Sequence, residues 1–376
     1  MDIVVYGKNA NAIVHATEGQ YSLDEYSRAQ IQMICDNDCS IDSTIRVMPD
    51  VHAGKAGPIG LTMTVHNQIL PSLVGVDIGC GMTVVKFKSK GLEFQQIDKI
   101  IQEYVPVGFK IRDKEHKYSD RIDLFKLKCE DDVDILRGLK SIGTLGGGNH
   151  FIEIDKDEDN NTYLVVHSGS RHLGVEVCDC YLREGQREAQ ESGNGFPPYE
   201  MSYLKGQLMD DYFHDITIIQ EFAQINRDAI IDSIMSNLKW KEEERFTSIH
   251  NYIDFSGDTP ILRKGAISAK DGERVIIPIN MRDGVIIGTG LGNDDWNCSA
   301  PHGAGRVYRR SEVANHHTVS EFKKEMEGIY SSCIGKDTLD ESPFAYRDIE
   351  SIKSVIQDTV TIDKVLKPVY NYKAGK

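Results

Sequence analysis

Gly146-Gly147-Gly148-Asn149-His150-Phe151-Ile152-Glu153 is the stretch on which the reading of this chain turns. Three successive glycines strip side chains from the backbone, so φ > 0 is open to it and a ligand or metal ion can approach the main chain closely. The residues that follow, Phe151-Ile152-Glu153-Ile154, alternate and read as a short strand. A bare loop therefore delivers Asn149 and His150 to the mouth of a strand. A second segment has the same form: Val165-Val166-His167-Ser168-Gly169-Ser170-Arg171, a β-branched run ending in His and small residues. His beside Gly at a strand end suits metal coordination. Either segment alone also fits a glycine turn with a hydrogen-bonded His.

The sequence has 376 residues, of which 27% are charged and 40% hydrophobic, which describes a soluble globular chain able to bury a sizeable core. No repeat, low-complexity stretch or linker divides it, so one domain over 1–376 is expected. A net charge of −15 argues against a protein that merely coats nucleic acid; any such contact must be local or rely on bound cations. Eight Cys without regular spacing follow an N-terminus, Met1 to Tyr6, that has neither a basic region nor a long apolar run. Free thiols in a reducing cytoplasm are expected, with no membrane span.

In chain order, residues 2–6 read as a strand and Ser22 as the cap of a helix reaching about Cys35. Val47 to Gly60, dense in Gly and Pro, reads as a loop that carries Asp50 and His52. Thr83–Phe87 reads as a strand, 93–104 as an amphipathic helix and Lys110–Asp134 as a charged surface excursion. Residues 171–191 read as a helix. Tyr203–Trp240 reads as one long helix or two, with Phe213, Ile216, Ile219 and Phe222 on its apolar face and His214 packed. Val275–Met281 and Val285–Gly288 form a hairpin around Asp283-Gly284. Helices are expected over 318–328 and from Asp340 to about Asp358, and Lys373, taken alone, reads as a solvated terminal lysine. The class is mixed α/β.

Several segments carry chemistry. Asp77 and Cys80 sit three apart on a Gly-flanked turn, where a thiolate and a carboxylate can bind one divalent ion or bridge two; the alternative is an inert buried Cys. His250-Asn251-Tyr252 again puts His at the end of a short segment. In Pro301-His302-Gly303-Ala304-Gly305-Arg306 little crowds the imidazole, and Arg306 can reach the same anion if a helix starts at the glycines; alone, His302 reads as a turn residue. Arg263-Lys264-Gly265 is a phosphate seat or a solvated turn. One thiolate, one carboxylate and three imidazoles suit a pair of borderline metals such as manganese, zinc or iron. Imidazole can attack an α-phosphate and hold a nucleotide as a phosphoramidate.

Pro49-Asp50-Val51-His52, Asp77-Ile78-Gly79-Cys80-Gly81, Gly147 to Glu153, His167 to Arg171, His250-Asn251-Tyr252 and His302 to Arg306 together resemble the RtcB family of RNA ligases, in the family's order. The resemblance implies a mixed α/β fold of its own kind, with a central mixed sheet and a dinuclear metal pocket. It implies GTP and two manganese ions as cofactors. The implied substrates are RNA 3′-phosphate or 2′,3′-cyclic phosphate ends joined to 5′-hydroxyl ends, in tRNA splicing or RNA repair. By position, Asp77, Cys80, His150, His167 and His250 match the metal ligands, His302 the guanylylated histidine and Asp50 a catalytic carboxylate near the metals. Asn149, His150, Phe151, Ile152, Glu153, His250, Asn251 and His302 through Gly305 (with Gly303 and Ala304) match guanylate-contacting segments. Tyr346 matches an aromatic against guanine, and Lys373 the lysine that reads the nucleotide. Pro278-Ile279-Asn280-Met281-Arg282 stands where the family has Pro-Gly-Ser-Met-Gly, and Val285 where it has Ser, so this part of the pocket departs from the pattern. A monomer is expected, with an archease-like activator as the protein partner the family suggests. Two other readings stay open: a metal-dependent phosphodiesterase or phosphatase acting on RNA ends without a nucleotide step, and an RNA-end-sensing protein.

Overall fold

A computed structural model describes residues 2–15, 23–193 and 197–374. Its class is mixed α/β, built on two principal sheets. One has seven antiparallel strands in the order Lys241–Ile249, Gly81–Lys88, Thr162–Ser168, Phe151–Lys156, Val360–Lys373, Gly284–Gly290 and Arg274–Asn280. The other has six, in the order Ile3–Tyr6, Asn11–Val14, Ile45–His52, Ile59–Thr64, Ile261–Lys264 and Asn251–Asp254, with one parallel pair between Asn11–Val14 and Ile45–His52.

Strand alternation decides what each face of the seven-stranded sheet carries. Ile152, Ile154, Leu164 and Val166 pack with Ile230, Ile231 and Ile234 of a 33-residue helix, Gly206–Leu238. The opposite face carries Phe151, Val165 and Met82, which pack with Ile276, Val285 and Leu366. Glu153 and His167 share the parity of Phe151 and Val165, so they face away from the long helix. The chain passes from one sheet to the other at His250, between strands Lys241–Ile249 and Asn251–Asp254. The short strand Ser299–Pro301 pairs with Ala266–Ser268 and delivers His302 to the same seam.

Several expectations hold and several are corrected. The strand Ile3–Tyr6, the helix Phe94–Tyr104, the helix Arg171–Glu191 and the Arg274–Asn280/Gly284–Gly290 hairpin form where expected. The first helix is Glu25–Cys35, and its cap is Asp24, which accepts from the Tyr26 and Ser27 amides; Ser22 lies outside the described residues. The expected loop over Val47–Gly60 is in its first half the strand Ile45–His52. Pro49 is tolerated because the pairing with Ile59–Thr64 is interrupted between Val47 and His52. Lys110–Asp134 is no mere excursion: His116, Leu124, Leu127 and Cys129 are buried, and Asp215 of the long helix accepts from the Lys128 and Cys129 amides. His214 is half-exposed beside Asp215 rather than packed. The helix expected from Asp340 is two 3₁₀ turns, Lys336–Glu341 and Pro343–Ala345, before a seven-residue helix at Ile349–Val355, because Pro343 cannot continue a helix. Finally, the C-terminal tail is the 14-residue strand Val360–Lys373 inside the seven-stranded sheet. Its rich β-branched and aromatic content fits a strand paired on both edges.

Candidate active site

Five side chains from four separate segments meet at the seam. Cys80 Sγ lies 3.4 Å from His150 Nε2 and 3.3 Å from His167 Nε2. Asp77 Oδ2 lies 2.9 Å from His150 Nε2, and His167 Nε2 lies 3.3 Å from His250 Nε2. The donor atoms form two groups, Asp77–Cys80–His150 and Cys80–His167–His250, each within 4.8 Å and sharing Cys80. The other ring nitrogens fix the tautomers. His150 Nδ1 faces the Leu145 carbonyl at 2.8 Å and His167 Nδ1 the Asn149 carbonyl at 3.1 Å. A carbonyl only accepts, so both Nδ1 atoms carry the proton and Nε2 of each ring faces the cluster.

The electrostatics agree with a cation-binding cluster. Burial holds the His167 and His250 imidazoles well below the usual histidine range, and their imidazole neighbours add to this. For Asp77, burial opposes ionisation, but His150 outweighs it and the carboxyl is held far below its ordinary value. Burial, then Asp77, push the Cys80 thiol up. Two neutral imidazoles, His167 and His250, an ionised carboxylate and a thiol that needs a cation to ionise suit a borderline divalent metal. Glycine makes the approach possible: a Cβ at Gly169 would run into the Asp77 carboxylate.

His302 sits on the open side of this cluster, its ring centroid 5.0 Å from that of His250. Its Nδ1 lies 2.9 Å from Oδ2 of the fully buried Asp50. Asp50 thus meets His302 rather than the metal-type donors. His302 opens onto a pocket of about 170 Å³. The pocket takes Asn149, Phe151 and Glu153 from one strand and its loop, and Pro278 through Met281 from the hairpin. His250, Gly303, Ala304, Gly305, Tyr346 and Lys373 complete the expected residues on its wall, and His52 and Arg306 also line it.

Lys373 is buried, with Nζ 2.8 Å from Glu341 and 5.4 Å from the Phe151 ring centroid. It is no solvated terminus because register pairs it with Phe151 and Asn371 with Glu153. Glu153 accepts from Asn371 at 3.0 Å, and burial together with Asp155 raises its carboxyl.

Four residues expected to contact the guanylate lie off this pocket, and His150 among them belongs to the donor cluster. Ile152 faces the long helix and Val285 is packed in the core. Asn251 braces the site from behind, accepting from the Gly265 amide at 3.0 Å and donating to the Asp77 carbonyl at 3.3 Å. Arg263-Lys264 is neither phosphate seat nor solvated turn. Arg263 is fully buried against Asp254 at 2.8 Å, and Lys264 is buried on the Ser72 carbonyl at 3.0 Å.

Sequence reasoning missed two supports. Glu341 is buried among Lys373, Arg310 and Arg306 and also accepts from the Tyr346 hydroxyl at 2.6 Å. Burial raises its carboxyl, but Lys373 leads the cations that bring it down to about 2. Asn226-Arg227, fully buried in the long helix, is the second. Arg227 donates to the Gly79 carbonyl at 2.8 Å and the Ser168 carbonyl at 3.0 Å; Asn226 accepts from the Gly143 and Thr144 amides at 2.8 and 3.1 Å. An Asn-Arg pair between the apolar Phe222 and Ile230 of an amphipathic helix was the signal available.

Comparison with known proteins points to one family. The profile of the family described as tRNA-splicing ligase RtcB matches residues 35–132 and 119–374. The RNA-splicing ligase RtcB of Escherichia coli K12 is 31% identical over 362 residues, covering 86% of this chain and 88% of that protein. The tRNA-splicing ligase RtcB of Aeropyrum pernix is 26% identical over 400 residues, covering 82% and 83%. The RNA-splicing ligase RtcB2 of Escherichia coli ATCC 25922 is 28% identical over 333 residues, covering 81% and 80%.

Proposed function

The chain belongs to the RtcB family of RNA-splicing ligases, and from that premise we propose that it is a GTP- and manganese-dependent ligase. It joins RNA 3′-phosphate or 2′,3′-cyclic phosphate ends to 5′-hydroxyl ends, in tRNA splicing or RNA repair. The observation that carries the reading is the Asp50–His302 pair beside two groups of metal-type donors that share Cys80.

The roles follow from the atoms. Asp50 holds the proton on His302 Nδ1, which leaves Nε2 as the nucleophile toward the GTP α-phosphate. An N–P bond forms there as the bond to pyrophosphate breaks. The RNA 3′-phosphate then displaces His302 and takes the GMP, and attack by the 5′-hydroxyl makes the phosphodiester and releases GMP. Asp77, Cys80, His150, His167 and His250 would hold two manganese ions, which neutralise phosphate charge and orient the leaving group. Glu153, Tyr346 and Lys373, on the pocket wall, would contact the guanylate. In the departing segment, the Asn280 side chain donates through Nδ2 to Asp283 at 2.9 Å and accepts through Oδ1 from the Arg282 and Asp283 amides. The Asn280 side chain therefore closes its own turn.

We place the whole chain, 1–376, in one catalytic domain that acts as a cytoplasmic monomer, with an archease-like protein as activator. Among the described residues, no helix is long and apolar enough to cross a membrane. The test is intact mass after incubation with GTP and manganese. One acid-labile GMP on the protein, absent from His302→Ala, supports the reading. No adduct with any of several divalent metals refutes it and promotes the phosphodiesterase alternative.

A further inference from the structure

Beside the glycine loop lies a second cavity, of about 440 Å³, which the chemistry above leaves unused. Gly147 and Gly148 line it, while the next residue, Asn149, lines the His302 pocket, so the two spaces meet across one step of backbone. Its rim carries Phe109, a residue 96% exposed. A fully wetted Phe forgoes roughly 2–3 kcal/mol of burial, and here it stands at the mouth of a cavity. The turn that presents it is fixed. The Gly108 amide donates to the Gly146 carbonyl at 2.8 Å, the Arg171 guanidinium to the Gly108 carbonyl at 3.0 Å and the Lys110 amide to the Val107 carbonyl at 3.2 Å.

The charge around the ring runs against that of the whole chain. Lys110, Arg137, Arg171 and His172 line the cavity, and its one carboxylate, Glu176, is occupied by His172 at 3.2 Å and the Asp134 amide at 3.0 Å. With Glu176 held by His172, no free carboxylate on the cavity wall faces Lys110 or Arg137. A rigid exposed ring among cations, in a protein of net charge −15, matches a polyanion that also has flat apolar faces. Paired bases hide those faces in a duplex, and single strands show them.

We infer that Phe109 is a stacking platform for an unpaired RNA nucleotide next to the end being joined, with Lys110 and Arg137 on the flanking phosphates; the inference rests on the ligase reading. The probe is a short single-stranded RNA with 5′-hydroxyl and 3′-phosphate ends, titrated without nucleotide. Phe109→Trp should show fluorescence quenching beyond that of the unsubstituted protein, whose Trp240 and Trp296 are packed on Phe87 and His15. Phe109→Ala should weaken RNA binding by roughly 5- to 100-fold with unchanged thermal melting. Lys110→Ala with Arg137→Ala should weaken binding and lower the salt slope by about 1.4. Unaltered affinity in Phe109→Ala, or equal quenching by a duplex of the same sequence, overturns the inference. The GMP adduct of the unsubstituted protein is measured separately, so failure of the ligase reading and failure of this platform are told apart.

Discussion

Asp50 Oδ2 sits 2.9 Å from His302 Nδ1, and its other oxygen has no hydrogen-bond partner among the described residues. A buried carboxylate spent on one ring nitrogen sets the tautomer of that ring. Asp50→Asn keeps the shape but can present an N–H to Nδ1, which moves the ring proton to Nε2 and blocks the nucleophile. Guanylylation should slow by on the order of 10²–10⁴-fold while thermal melting barely moves. Stopped-time intact mass with GTP reads the rate, and a normal rate would show that something other than Asp50 sets the tautomer.

Cys80 belongs to both donor groups, whereas His150 belongs to one and His250 to the other. Removal of Cys80 should therefore empty both positions, and His150→Ala or His250→Ala should each release mainly one ion. Elemental analysis after equilibration with manganese and gel filtration gives the stoichiometry. The same metal content in all three variants would mean that the donors do not divide as the geometry has them.

The metal donors were legible because Asp77 and Cys80 share a Gly-rich turn and each of the three His stands at one end of a short apolar segment, a pattern that survives in one dimension. The family motifs carried His302 and the glycine loop in the same way. Other features depend on register and long-range packing. Lys373 reads as a loose end until the strand Val360–Lys373 pairs with Phe151–Lys156. Glu341 gains meaning only when Lys373, Arg306 and Arg310 converge on it. Val47–His52 looked like loop because Pro49 and the glycines dominate local propensity; an interrupted ladder beside the site overrides them.

Arg227 joins the loop that carries Asp77 and Cys80 to the strand that carries His167, through the Gly79 and Ser168 carbonyls. Arg227→Met fills similar space but leaves both buried carbonyls without their donor. Stability should fall by about 2–4 kcal/mol, read from denaturant midpoints. Metal affinity should fall by roughly 10- to 100-fold, as for other groups that orient ligands from behind. Arg227→Lys should restore part of the stability and less of the affinity, since one ammonium cannot span the same set of acceptors. Unchanged metal affinity in a folded Arg227→Met would confine the residue to a packing role.

His116 gives the fold a pH dependence away from the site. Its Nδ1 accepts from the Tyr118 amide at 3.2 Å, and it is packed near Arg112, Lys117 and Arg121, with Asp232 at 3.7 Å. Burial first, then Arg112, bring its pKa down to about 4. The unfolded chain takes a proton on this imidazole below about 6.5, and the folded chain does so only near 4. Between those values the unfolded state binds more protons, so this contribution to stability is present above pH 6.5 and is lost as the pH falls toward 4. His116→Asn keeps an acceptor for the Tyr118 amide but cannot titrate. Its urea midpoint should therefore drop less between pH 7 and pH 5 than that of the unsubstituted protein. Parallel pH slopes for the two proteins would show that the acid sensitivity of this fold arises elsewhere.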